Sequence, residues 1–91
     1  MAEARRYGQL KIMERAGEIA DLELQPVYPL VVAGIKIGKY IGDFRYVEMR
    51  KGAAVARVVE DCKGVRTAVY RLKKKLVEAL YPGVKIIEVS A

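Results

Sequence analysis

The sequence predicts one mixed α/β or α+β domain with elements in the order α-β-β-β-α-β. Three observations predict it. Apolar residues recur at helical spacing near both ends of the chain. Between them lie β-branched segments with strand-like patterning, and turn residues at Gly17, Pro26, Ala33-Gly34, Gly52 and Pro82-Gly83 separate the pieces. At 91 residues, of which 53% are hydrophobic, residues 1–91 form a single unit with one core.

Residues 3–16 carry Ala4, Tyr7, Leu10, Met13 and Ala16 on one helical stripe, and Gly17 ends it. Residues 18–25 alternate like a strand and stop at Pro26. The β-branched run 30–37, with Ala33-Gly34 as its turn, forms either a hairpin or one bent strand. Residues 42–49 and 53–63 flank the turn signal Arg50-Lys51-Gly52 and pair as an antiparallel hairpin. Val55, Ala56, Val58 and Val59 make the second of these strands apolar on both faces, as a covered central strand is. Thr67 caps a second helix whose expected buried stripe is Val69, Leu72, Leu76, Val77 and Leu80, and residues 84–89 supply a last strand.

Seventeen basic residues against 11 acidic ones give a formal charge of +6 and a pI near 9.6. That excess attracts polyanions, and nucleic acid is the commonest; a basic protein without a polyanion partner fits the charge equally well. No histidine is present, which excludes His-based acid–base catalysis, Ser-His-Asp triads and His-ligated zinc. The lone Cys62 excludes an internal disulfide and fits a cytoplasmic setting. Met1 leads into a charged stretch, so no signal peptide is expected. No apolar run approaches the ~20 residues of a membrane span, so no membrane partner is expected either.

The chemistry concentrates in Val58-Val59-Glu60-Asp61-Cys62-Lys63-Gly64. Alternation along a strand sends Asp61 and Lys63 to one face and Glu60 and Cys62 to the other, so the Cys62 thiol belongs to the core. A tight hairpin centred near Gly52 brings Asp43 alongside Asp61. Two carboxylates about 4 Å apart repel by about 1 kcal/mol in water and about 4 kcal/mol at an effective dielectric of ~20. Either Lys63 or a divalent metal compensates them, and carboxylate oxygens with waters are ordinary Mg²⁺ ligands. Glu3 lies one turn before Tyr7, at the edge of the helix stripe. It is either a terminal residue or an inward-pointing ligand.

Asp43, followed on the next strand by Asp61-Cys62-Lys63, resembles the signature of the PD-(D/E)xK nuclease superfamily, whose restriction-endonuclease-like core has the same α-β-β-β-α-β order and a central mixed sheet flanked by helices. Further along the chain, Glu3-Ala4-Arg5-Arg6-Tyr7, Ala16-Gly17-Glu18-Ile19, Leu22-Glu23-Leu24-Gln25-Pro26, Asp43-Phe44-Arg45-Tyr46, Val59-Glu60-Asp61-Cys62-Lys63-Gly64 and Thr67 with Tyr70 resemble, in order, small phage-encoded endonucleases and Holliday junction resolvases. The resemblance implies an Mg²⁺-dependent DNA endonuclease, with Mn²⁺ as a substitute. It makes Glu3, Asp43, Asp61 and the Cys62 backbone carbonyl the metal ligands, Asp43, Asp61 and Lys63 catalytic, and Gln25, Thr67 and Tyr70 site-lining. The segment between Pro26 and Asp43 looks short beside that family, as if a substrate loop were trimmed.

In such an enzyme the metal binds the scissile phosphate and activates a water. Lys63 then orients that water or steadies the developing charge. Arg5, Arg6 and Lys11 on the first helix, and Arg66, Arg71, Lys73, Lys74 and Lys75 on or near the second, are the expected contacts to the DNA backbone. Branched DNA and a homodimer are the expected partners, because two equivalent strands need two equivalent sites. Residues Leu30, Val31, Val32, Ile35 and Ile37 offer either a dimer surface or core packing. The competing readings are a non-catalytic basic nucleic-acid-binding module of the same fold and a small RNA-associated protein.

Overall fold

The computed structural model describes residues 2–62 and 66–89. Helix α1 (Ala2–Arg15) is followed by strands β1 (Ile19–Leu24), β2 (Val27–Val32), β3 (Ile35–Ile41), β4 (Phe44–Arg50) and β5 (Ala53–Asp61), then helix α2 (Ala68–Leu80) and strand β6 (Val84–Glu88). Four strands form one mixed sheet in the order β1-β4-β5-β6, with β6 parallel to β5 and the other pairs antiparallel. A parallel neighbour needs a crossover, and α2 supplies it. Removing β2 and β3 leaves the α-β-β-β-α-β order.

Those two strands pair with each other as a separate hairpin. Its turn is Ala33-Gly34, at φ 51° and 79°, and the β4–β5 turn at Lys51-Gly52 repeats that geometry at 52° and 77°. Paired positive φ values give the turn a twist matched to its strands. The segment between Pro26 and Asp43 is therefore a complete hairpin.

Alternation along the strands divides the core in two. On one face, α1 sets Leu10 against Ile19, Phe44, Tyr46 and Val58, with Cys62 packed at the margin. On the other, Tyr28, Leu30 and Tyr40 of the hairpin and Tyr70 and Val77 of α2 close over Val59 and Ile86. Strand β5 is thus covered on both faces toward its C-terminal end, while Val55 near its start remains half exposed.

The stripe expected on α2 is corrected. Val77 is buried and Leu76 packs beside it, but Val69 and Leu72 are exposed at 62% and 60%, and Leu80 also lies outside the core. Tyr70 takes the inward position because the hairpin presents Tyr40 there, with ring centroids 6.4 Å apart. The outer side of the hairpin leaves Val27, Val31, Ile35, Ile37 and Ile41 exposed. Among the described residues, no helix is long and apolar enough to cross a membrane.

Candidate functional site

Asp43 and Asp61 meet at the end of the β4–β5 pair. Phe44 is opposite Glu60, so one step outward brings Asp43 beside Asp61. Asp43 grips the end of β5 twice. Its N–H donates to the Glu60 carbonyl at 3.0 Å, and its Oδ2 accepts the Cys62 N–H at 2.6 Å. Gly42 permits this approach, since a Cβ there would lie 2.6 Å from Cγ1 of Val59. A carboxylate has about four lone-pair positions, so the Cys62 amide orients Asp43 without exhausting it.

Asp61 is only 2% exposed. The Tyr40 hydroxyl, from the hairpin, donates to its Oδ2 at 2.5 Å. Burial pushes the Tyr40 phenol above its ordinary range, and the bond to Asp61 pushes it further. Across β5 and β6, Asp61 is in register with Glu88, which pairs with Arg66 at 3.1 Å. Tyr70 lies in the same field; its phenol is raised by burial, then by Asp61 and Glu88.

Glu3, Gln25 and Asp43 line one shallow cavity of about 350 Å³ at the start of α1, together with Tyr7 and Phe44. Tyr7 stacks on Phe44 at 6.2 Å, which fixes this end of the helix over the sheet. The Gln25 N–H donates to the Asp43 carbonyl at 2.9 Å. The Cys62 thiol is raised by burial first, and then by Asp43, Glu60, Glu3 and Asp61 in turn. Glu3, Asp43 and Asp61 are hard oxygen donors, which suits Mg²⁺ or Mn²⁺ in kind. Among the described residues, however, no three such side chains close into a ligand cage. Lys63 lies outside the described residues.

Glu60, on the opposite face, is fully buried. Arg6 holds it with two bonds, Nε to Oε1 at 2.7 Å and Nη2 to Oε2 at 2.6 Å, and Tyr46 donates to Oε2 at 2.5 Å. Arg6 also donates from Nη1 to Gln9. Its guanidinium is thus engaged with Glu60 and Gln9 while the side chain stays partly exposed. Lys11 is paired with Glu14 at 3.0 Å. Arg5, Arg71 and Lys75 are exposed, and Lys73 and Lys74 are half-buried. Thr67 is the α2 N-cap, accepting the Tyr70 N–H on Oγ1 at 3.1 Å.

Sequence reasoning missed Tyr40 and Glu88. The last strand could have pointed to Glu88, because the C-terminal ends of parallel strands are where such sheets gather functional groups. No local signal marks Tyr40, whose partner is 21 positions away.

The molecule is thus a small mixed α+β domain with Asp43 and Asp61 placed at the end of the β4–β5 pair. The chain matches the family described as a protein of unknown function, DUF1064, over residues 1–90, and belongs to it. No curated protein and no solved structure matches it.

Proposed function

We propose that this protein is a metal-dependent DNA endonuclease that hydrolyses phosphodiester bonds, with branched DNA as its substrate. The observation that carries the reading is the placement of Asp43 beside Asp61, with Glu3 and Gln25 on the cavity that Asp43 lines. Adjacent acids repel each other and repel DNA, so a pure nucleic-acid binder gains nothing from them. Asp61, Asp43 and Glu3 would hold Mg²⁺ or Mn²⁺, with the Cys62 carbonyl as a further donor. A bound ion there supplies a polarised phosphate and a water of lowered pKa. Asp43, fixed by the Cys62 amide, keeps its carboxylate at the end of β5. Tyr40 and burial fix Asp61, and Lys63 has the role of orienting the attacking water or steadying the charge on the phosphate.

Cleavage of a labelled four-way junction and a matched linear duplex, in Mg²⁺ or in EDTA, tests this. Metal-dependent cutting that Asp61→Ala and Lys63→Ala abolish is the expected result. Binding without cutting, unchanged by Asp61→Ala, would leave a basic DNA-binding module. Equal cutting of both substrates would keep the nuclease and discard the branch preference. The exposed apolar outer side of the hairpin supports self-association of two copies. Sedimentation of wild type against Ile37→Glu tests it, a monomer at all concentrations counting against the dimer.

A further inference from the structure

The net positive charge of this chain is concentrated in two segments. Hairpin residues 27–41 carry Lys36 and Lys39, and residues 66–75 carry five more basic side chains; neither stretch holds an Asp or Glu. Seven of the 17 basic residues thus lie in these two segments, leaving ten basic against 11 acidic residues elsewhere. The whole excess of +6 is accounted for there; the rest of the chain sums to near neutral, although α1 by itself carries four basic against two acidic residues.

The two segments face each other. Strand β3 and helix α2 frame an open groove of about 320 Å³, lined by Lys39 and Ile41 on one wall, Thr67, Val69 and Lys73 on the other, and Tyr40 and Tyr70 between. Tyr40 is the residue whose hydroxyl holds Asp61, so the groove leads to the candidate site. Among the described residues, no ion pair engages Lys36, Lys39, Lys73, Lys74 or Lys75, whereas Arg66 pairs with Glu88, and Arg6 and Lys11 of α1 are also paired.

We infer that the β3–α2 groove is the path of a DNA phosphate backbone, with Lys39 and Lys73 contacting it from opposite walls. The inference rests on the nuclease reading for the identity of the polyanion. It assigns a contact, Lys39, that lies on neither helix, and it moves the binding face from α1 to the hairpin side. Lysine contacts of this kind give affinity without sequence preference, and each phosphate neutralised adds about −0.9 to the slope of log K against log salt.

Fluorescence anisotropy of a labelled four-way junction in EDTA, titrated over a range of NaCl concentrations, reads this directly. Lys39→Ala with Lys73→Ala should weaken binding and make the slope shallower by about 2. Lys51→Ala with Lys85→Ala, at the β4–β5 turn and on β6, should leave the slope unchanged. A slope unaffected by the groove pair, or one that falls instead with Arg5→Ala, overturns the inference. Absence of DNA binding at low salt overturns it as well. Cleavage in Mg²⁺ separates the two claims. Normal binding and cutting by the groove pair removes the groove alone, and weakened binding by the groove pair with no cutting even by the wild-type protein removes the nuclease alone.

Discussion

Tyr40 donates its hydroxyl to Asp61 at 2.5 Å, and through that bond a hairpin outside the main sheet reaches the end of β5. Both residues are buried, at 3% and 2% exposure. In Tyr40→Phe the ring still packs between Tyr28 and Tyr70, but one buried carboxylate oxygen loses its donor. A hydrogen bond to a charged group is worth about 1.5–3 kcal/mol, so the urea midpoint should fall accordingly. Groups that orient metal ligands are worth about 10–100-fold in metal affinity or activity, and Mn²⁺ binding and cleavage should fall within that range. Unchanged Mn²⁺ affinity in a folded variant would show that Tyr40 supports only the packing.

The pair Arg6–Glu60 makes a different prediction, because it stabilises the fold without facing the candidate site. Glu60 is fully buried and its charge is compensated by Arg6 and Tyr46. Arg6→Ala leaves that carboxylate buried with one neutral donor, which costs about 3–5 kcal/mol. Chemical denaturation should show a loss of that size. If Arg6→Ala instead left stability intact and weakened DNA binding, Arg6 would return to the binding surface.

Much of the fold was legible in the sequence, because alternation and turn chemistry are local. Lys51-Gly52 and Ala33-Gly34 mark their turns, and Thr67 marks the start of α2. The alternation that sends Asp61 and Glu60 to opposite faces also follows from strand geometry. What was not legible depends on how separate pieces dock. The apolar face of α2 is broad enough to hold Val69 and Leu72 as well as Tyr70 and Val77, and the position of the hairpin selects the latter two. Arg6 is indistinguishable in sequence from Arg5, yet one turns to Glu60, 54 positions away, and the other to solvent.

Alkaline pH should unfold this protein through its tyrosines. Tyr40, Tyr46 and Tyr70 are each raised from the ordinary 10.0, in every case by burial first. Below about pH 10 these phenols are protonated in both folded and unfolded chains, so their full contribution to stability is present. Above it the unfolded chain loses the protons while the folded chain keeps them, so the unfolded state binds fewer protons and stability falls as pH rises. Ultraviolet titration of phenolate should show at least three of the six tyrosines ionising only together with the loss of folded circular dichroism. Smooth ionisation of all six in a folded protein would contradict the burial of these rings.

Gly42 connects stability to the candidate site. A methyl group there meets Cγ1 of Val59 at 2.6 Å, and Val59 is fully buried between β4 and β6, with no room to retreat. The backbone at Gly42 must then shift, and the next residue is Asp43, held to β5 by both its N–H and its carboxylate. Overpacking of this kind costs about 1–3 kcal/mol. Gly42→Ala should therefore lower the melting temperature, and it should reduce cleavage beyond the fraction unfolded, because displacing Asp43 separates it from Asp61. Measuring activity well below the melting transition distinguishes the two effects. Full activity there would mean that Asp43 keeps its place when β4 moves, and that its bond to the Cys62 amide, rather than the entry of the strand, sets its position.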